Sequence, residues 1–125
     1  MKRLALLLIV LLGLTACSSA GATTVSPSEF QNLAQQPGVV VLDVRTPAEF
    51  AQGHLPDAIN MDVESADFPA QIAGLDKNAT YAVYCRSANR SKVAMEQMSA
   101  AGFENVQDLE GGIVSWQAQG LPVVR

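Results

Sequence analysis

Cys85, Arg86, Arg90 and Ser91 fall within seven consecutive positions, so a thiol, two guanidinium groups and a hydroxyl share one short segment. The chemistry this suggests is nucleophilic: the thiolate is the attacking form, and cations, backbone N–H groups and a helix N-terminus favour it. The surroundings fit. Thr80-Tyr81-Ala82-Val83-Tyr84 is an apolar run that Cys85 ends, Arg86 to Ser91 is a polar loop, and a helical pattern follows. Successive N–H groups in such a loop form a cradle for negative charge. The expectation is a cysteine-based group-transfer site, with Cys85 as nucleophile and Arg86, Ser87, Ala88, Asn89, Arg90 and Ser91 as the substrate-binding loop.

The second cysteine has a different setting. Met1-Lys2-Arg3 is a short basic start, Leu4 to Leu14 is almost continuously apolar, and Leu14-Thr15-Ala16-Cys17 closes it. That is a signal-peptide pattern whose apolar run is too short to span a bilayer. Its ending resembles the bacterial lipobox, in which the cysteine is lipidated and becomes the first mature residue; the plainer reading is an ordinary cleavage site with Cys17 as a passenger. On the lipoprotein reading, residues 1–16 are a signal peptide, residues 17–24 are a lipidated cysteine and flexible tether, and residues 25–125 form one domain. Ser18 then points to the outer membrane, facing the periplasm, of a Gram-negative cell. Anchoring at Cys17 also leaves Cys85 without an internal disulfide partner in a compartment that oxidises thiols. A lone exported cysteine is either buried and inert or kept for its reactivity, and the loop context favours reactivity.

Charge narrows the partners. The chain carries 8 Lys and Arg against 12 Asp and Glu, a formal charge of −4, and loss of the leader removes Lys2 and Arg3. An acidic protein is a poor match for nucleic acid, and membrane contact is expected only through the anchor. Arg86, Arg90 and Lys92 nevertheless cluster at the loop. Cations at a helix N-terminus oppose its dipole, so Arg86 and Arg90 are read as anion-handling groups and Lys92 as plain surface. No Cys/His cluster has metal-ligand spacing and no glycine-rich nucleotide loop is present, so neither a metal nor an organic cofactor is expected.

The elements that must position the loop are legible along the chain. Ser26-Pro27-Ser28-Glu29 and Thr46-Pro47-Ala48-Glu49 are helix starts of capping-box type, with proline at the first helical position. Val39 to Val44 is a β-branched run suited to a strand buried on both faces, with Asp43 and Arg45 emerging at its C-terminal end. Gly53 to Asp57 is a turn, Ala58 to Met61 a brief strand, and Pro69 to Gly74 a short helix. Thr80 to Tyr84 is the strand before the loop, Ser91 to Ala101 a helix, Phe103 to Leu109 a last strand, and Gly111-Gly112 opens a final helix. Such alternation predicts an α/β domain, three layers deep, with a mostly parallel sheet and its site at the strands' C-terminal ends.

From about Val25 onwards the chain resembles the rhodanese family of single-domain sulfurtransferases. The resemblance rests on Leu42-Asp43-Val44-Arg45, on Glu49-Phe50 with Gly53-His54-Leu55-Pro56 and Ala58-Ile59-Asn60, on Tyr84 to Ser91, and on Gly111-Gly112 with Trp116. It implies the rhodanese-like fold, in which Cys85 takes a sulfane sulfur from an anion such as thiosulfate, holds it as a persulfide, and passes it to a thiol or cyanide. Both the thiolate and the persulfide are anions that the loop amides stabilise, and one such donor is worth about 2.7 to 4 kcal/mol in a preorganised site. Phosphatases of this fold, or arsenate reductase-like enzymes, need five residues between cysteine and arginine; Cys85 and Arg90 enclose four, which suits sulfur. A carrier module that holds a persulfide or binds a partner protein without catalysis is the main alternative. The family often has Gly where this chain has Ala88; a left-handed backbone there costs alanine about 1 to 2 kcal/mol. Asp43 and Arg45 are expected to support the loops beside the site through an ion pair or hydrogen bonds. His54 is read as a turn residue, since a pre-ionised thiol needs no base, and Trp116 and Phe103 as core.

Overall fold

The computed structural model describes residues 23–125. Residues 1–22, which include Cys17 and the segments expected to be leader and tether, lie outside them. The elements run β1 (Thr23–Val25), α1 (Pro27–Ala34), β2 (Val40–Asp43), α2 (Pro47–Gln52), β3 (Ile59–Asn60), α3 (Phe68–Ala73), β4 (Thr80–Tyr84), α4 (Asn89–Ala100), β5 (Asn105–Leu109) and α5 (Gly112–Ala118). The five strands form one sheet in the order β1-β5-β4-β2-β3, and every pairing is parallel. The expected α/β domain is therefore present, with a sheet parallel throughout. Thr23 and Thr24, placed in the tether on sequence, instead pair with Gln107 and Asp108 as part of β1.

Strand alternation divides the core into two layers of side chains. Leu42, Val44, Tyr81, Val83 and Val106 pack with Phe68 and Ile72 of α3 and with Ala94, Met95 and Met98 of α4. On the other face Val41, Ala82, Tyr84 and Leu109 meet Phe30 of α1 and Ile113 and Trp116 of α5. Burial on both faces is why β2 and β4 read as unbroken apolar runs. Trp116 and Phe103 are core residues, as expected.

The caps locate the helices. Ser26 Oγ accepts from the Glu29 N–H at 3.3 Å at the start of α1. In α2 the box is reciprocal: Thr46 Oγ1 accepts from Glu49 N–H, and Glu49 Oε1 accepts from Thr46 N–H and Oγ1. Helix α4 begins at Asn89, two residues ahead of the expected Ser91, so half of the loop is also the first turn of the helix.

Connectivity explains where a site can form. From β2 the chain moves out to β3, whereas from β4 it crosses to the opposite neighbour, β5. The loops leaving the adjacent C-terminal ends of β2 and β4 diverge, and a crevice opens between them. Asp43, Arg45 and Cys85 stand there.

Candidate active site

Cys85 follows the last residue of β4 and is 1% exposed, on the same face as Tyr81 and Val83. The rim around it is open: Arg86, Ser87 and Asn89 are exposed, and Ala88 and Arg90 are half-buried. The carbonyls of Cys85 and Arg86 are drawn off by the next helix, accepting from Ile113 N–H at 2.9 Å and Val114 N–H at 3.2 Å. This docking depends on Gly112. A Cβ there would lie 2.5 Å from the carbonyl carbon and oxygen of Arg86 and 2.6 Å from the oxygen of Cys85.

The amides of the loop have no such partners. Among the described residues, none of the N–H groups from Arg86 to Ser91 donates to a protein oxygen. The first N–H groups of a helix have no intrahelical acceptor, and α4 carries no side-chain cap. The consequence is six consecutive unpaired donors directly after Cys85, with the positive end of a twelve-residue helix behind them. The left-handed turn feared at Ala88 does not occur: its φ is −166°, outside the left-handed region. The penalty raised from the sequence does not apply.

The two loop arginines differ. Arg90 donates to both oxygens of Glu49, at 2.6 and 3.0 Å, so its charge at the helix start is compensated from α2. The hydrogen bonds from Arg90 hold the Glu49 carboxyl down at about 2, with Thr46 adding to the effect against the opposing influence of burial. The same contact raises the pKa of Arg90. Arg86 is exposed and lines a depression of about 320 Å³ with Arg45, Glu49, Gln52, Gly53, Val114 and Gln117. Among the described residues it forms no ion pair.

Asp43 and Arg45 act beneath this surface. Both are buried, and the Arg45 guanidinium donates to both oxygens of Asp43 and, through Nη2, to the carbonyl of Gly53 at 2.7 Å. Burial works against the charge on Arg45, but Asp43 outweighs it and the net shift is upward. The Tyr84 hydroxyl donates to Asp43 Oδ2 at 2.6 Å and accepts from Leu55 N–H at 3.0 Å. Burial, reinforced by Asp43, pushes the phenol far up, so it remains a donor. Asn60 Nδ2 donates to the carbonyls of Asp43 and Arg45. These bonds tie the turn from Gly53 to Leu55 to the ends of β2 and β4. His54 stacks on Phe50 with ring centroids 3.8 Å apart, and its Nδ1 is 2.9 Å from Phe50 O, a structural setting.

Two contacts escaped the sequence reading. Glu49 was recognised as a cap residue, but nothing local marked it as the partner of Arg90. Ser91 Oγ lies 3.4 Å from Cys85 Sγ and 3.2 Å from Asp108 Oδ2 on β5. The alternation of Val106 and Asp108 about the half-buried Gln107 was the available signal, since it places Asp108 on the face that carries Cys85.

Similarity to known proteins agrees with this geometry. Residues 26–119 match the Rhodanese-like domain family. A sulfurtransferase of Allochromatium vinosum is 38% identical over 99 residues, covering 79% of this chain and 91% of that protein. A thiosulfate sulfurtransferase of Pseudomonas putida is 35% identical over 95 residues, covering 75% and 84%. An uncharacterized protein of Synechocystis is 37% identical over 110 residues, and the match spans 88% of this chain but 60% of that one. Among solved structures, a rhodanese-related protein of Thermoplasma volcanium superposes with a TM-score of 0.72 at 32% identity, covering 82% of this chain and 97% of the other. The parallel sheet, the cysteine followed by a run of unpaired amides and these similarities together place the chain in the rhodanese-like domain family.

Proposed function

We propose that the protein is a sulfurtransferase working through a persulfide on Cys85. The Cys85 thiolate attacks the outer sulfur of a donor such as thiosulfate; the donor's S–S bond breaks and sulfite leaves with its electron pair. A thiol or cyanide then attacks the outer sulfur of the persulfide, and Cys85 departs as the thiolate. Both forms of the enzyme carry one negative charge at the loop, on Cys85 Sγ in the thiolate and on the sulfur bonded to it in the persulfide. The observation that carries this reading is the set of free amides from Arg86 to Ser91, which suits a charge that never leaves the cradle. Arg86 guides the anionic donor in, while Arg90 braces the loop against α2.

Steady-state transfer from thiosulfate to cyanide, and separately to a small thiol, tests the assignment. Wild-type protein is expected to turn over and Cys85→Ser to be inactive; equal rates would overturn it. A persulfide that forms but is never passed on would identify the carrier module instead. For the N-terminal segment we propose a lipid anchor at Cys17 that holds the domain at the periplasmic face of the outer membrane. Cys17→Ser should then move the protein from the membrane to the soluble fraction, and unchanged partitioning would contradict the anchor.

A further inference from the structure

Ser91 and Asp108 are both fully buried beside Cys85. The Ser91 hydroxyl has three polar neighbours: Ala88 O at 2.9 Å, Asp108 Oδ2 at 3.2 Å and Cys85 Sγ at 3.4 Å. A hydroxyl has one proton to give and two lone pairs to receive with. Ala88 O accepts only, and its shorter distance claims the Ser91 proton. An ionised Asp108 would then face Ser91 Oγ across 3.2 Å with no hydrogen between two oxygens. Its other oxygen, Oδ1, is also buried and has no partner at all, which a full carboxylate charge tolerates badly. One proton on Asp108 resolves the contacts of Ser91 and leaves Oδ1 an uncharged carbonyl oxygen: Asp108 Oδ2–H donates to Ser91 Oγ, Ser91 Oγ–H donates to Ala88 O, and the Cys85 thiol donates to the second lone pair of Ser91.

We infer that Asp108 is held as a neutral acid and serves as a positioning residue, presenting the Ser91 hydroxyl to the sulfur of Cys85. When Cys85 is a thiolate or persulfide, the Ser91 proton turns from Ala88 O to the sulfur anion, and the bond from Asp108 keeps the hydroxyl oxygen in place. The neutral acid also avoids a second negative charge next to the anion that the loop stabilises. The surroundings agree. Burial pushes the Asp108 carboxyl up, against the opposing influences of Ser91 and of Lys92 on α4. The strands on either side, β1 and β4, bring no charged side chain. Neither does α5, and the one charged residue of α1, Glu29, is exposed.

This role builds on the sulfurtransferase reading, but its test does not need turnover. The rate of Cys85 alkylation by iodoacetamide is followed from acid to alkaline pH in the full chain, with the other cysteine changed by Cys17→Ser as background. Asp108→Asn, whose amide also donates to Ser91, is expected to keep the pH profile and the neutral-pH rate within about twofold. Ser91→Ala should slow alkylation at neutral pH by about tenfold, the loss of one hydrogen bond to a charged group, and move the profile to higher pH. Asp108→Val should move it in the same direction. Infrared difference spectra at neutral pH should show a protonated carboxyl band in the wild type that Asp108→Asn lacks. The inference is overturned if that band is missing, if Asp108→Asn speeds alkylation about tenfold, as removal of a nearby carboxylate charge would, or if Ser91→Ala leaves the profile unchanged. A normal alkylation pattern in a protein that transfers no sulfur would instead count against the sulfurtransferase assignment alone.

Discussion

Replacing Gly112 by alanine tests whether α5 is what shapes the loop. The residue sits at φ +61°, the left-handed region, where a side chain costs about 1 to 2 kcal/mol. Its Cβ would also overlap the Arg86 carbonyl at 2.5 Å. That neighbour is backbone, so relief requires α5 to back away from the loop, and overpacking of this kind costs about 1 to 3 kcal/mol. Retreat further stretches the bonds from Ile113 and Val114 to the Cys85 and Arg86 carbonyls. We expect a total of about 3 kcal/mol, a fall in Tm on the order of 12 to 24 °C for a domain this size. Thermal and urea unfolding followed by circular dichroism give the stability, and the thiosulfate-to-cyanide rate gives the state of the cradle. Sulfur transfer should drop more than tenfold under conditions where the variant is still folded. A Gly112→Ala protein with wild-type Tm and wild-type transfer would refute the claim that the α5 start holds the loop.

Three further substitutions probe separate contacts. Glu49→Gln removes the carboxylate opposite Arg90 and should cost about 1 kcal/mol at neutral pH, since the pair is partly open to solvent. Because Glu49 is depressed from 4.5 to about 2 in the folded chain, its contribution is complete above the ordinary carboxylate value and fades as pH falls between those limits. Urea midpoints of wild type and variant should therefore converge near the acid end, and a gap unchanged down to the lowest pH would count against the pairing. Tyr84→Phe leaves Leu55 N–H and Asp43 Oδ2 each without the phenol, and a loss of about 2 to 3 kcal/mol is expected from unfolding curves; a neutral change would mean that the turn is held otherwise. Ala88→Gly should leave transfer unchanged within about threefold while lowering stability by about 0.5 to 1 kcal/mol through the looser unfolded chain; a large gain in activity would show that alanine strains the loop after all.

The loop was legible because its parts are contiguous. Strand, cysteine, polar turn and helix start follow one another from Thr80 to Ser91, and each announces itself by local pattern. The buried strands were equally plain, since β2 and β4 are covered on both faces. β1 was not, because three residues at the sheet edge carry no periodicity and acquire their conformation only by pairing with β5. Contacts between distant positions were also hidden: Glu49 meets Arg90 across 41 positions and Asp108 meets Ser91 across 17. At Ala88 local reasoning pointed to the wrong place for strain. Left-handed backbone occurs instead at Gly111 and Gly112, at φ +73° and +61°, where α5 approaches the loop.

The central claim is that Cys85 holds sulfur within its own loop. Incubating the protein with thiosulfate, removing the donor and recording the intact mass tests it most directly. The account predicts one added sulfur atom, mapped to the Cys85 peptide, removed by cyanide and absent from Cys85→Ser. No added sulfur on the wild type, or an equal adduct on Cys85→Ser, would contradict it.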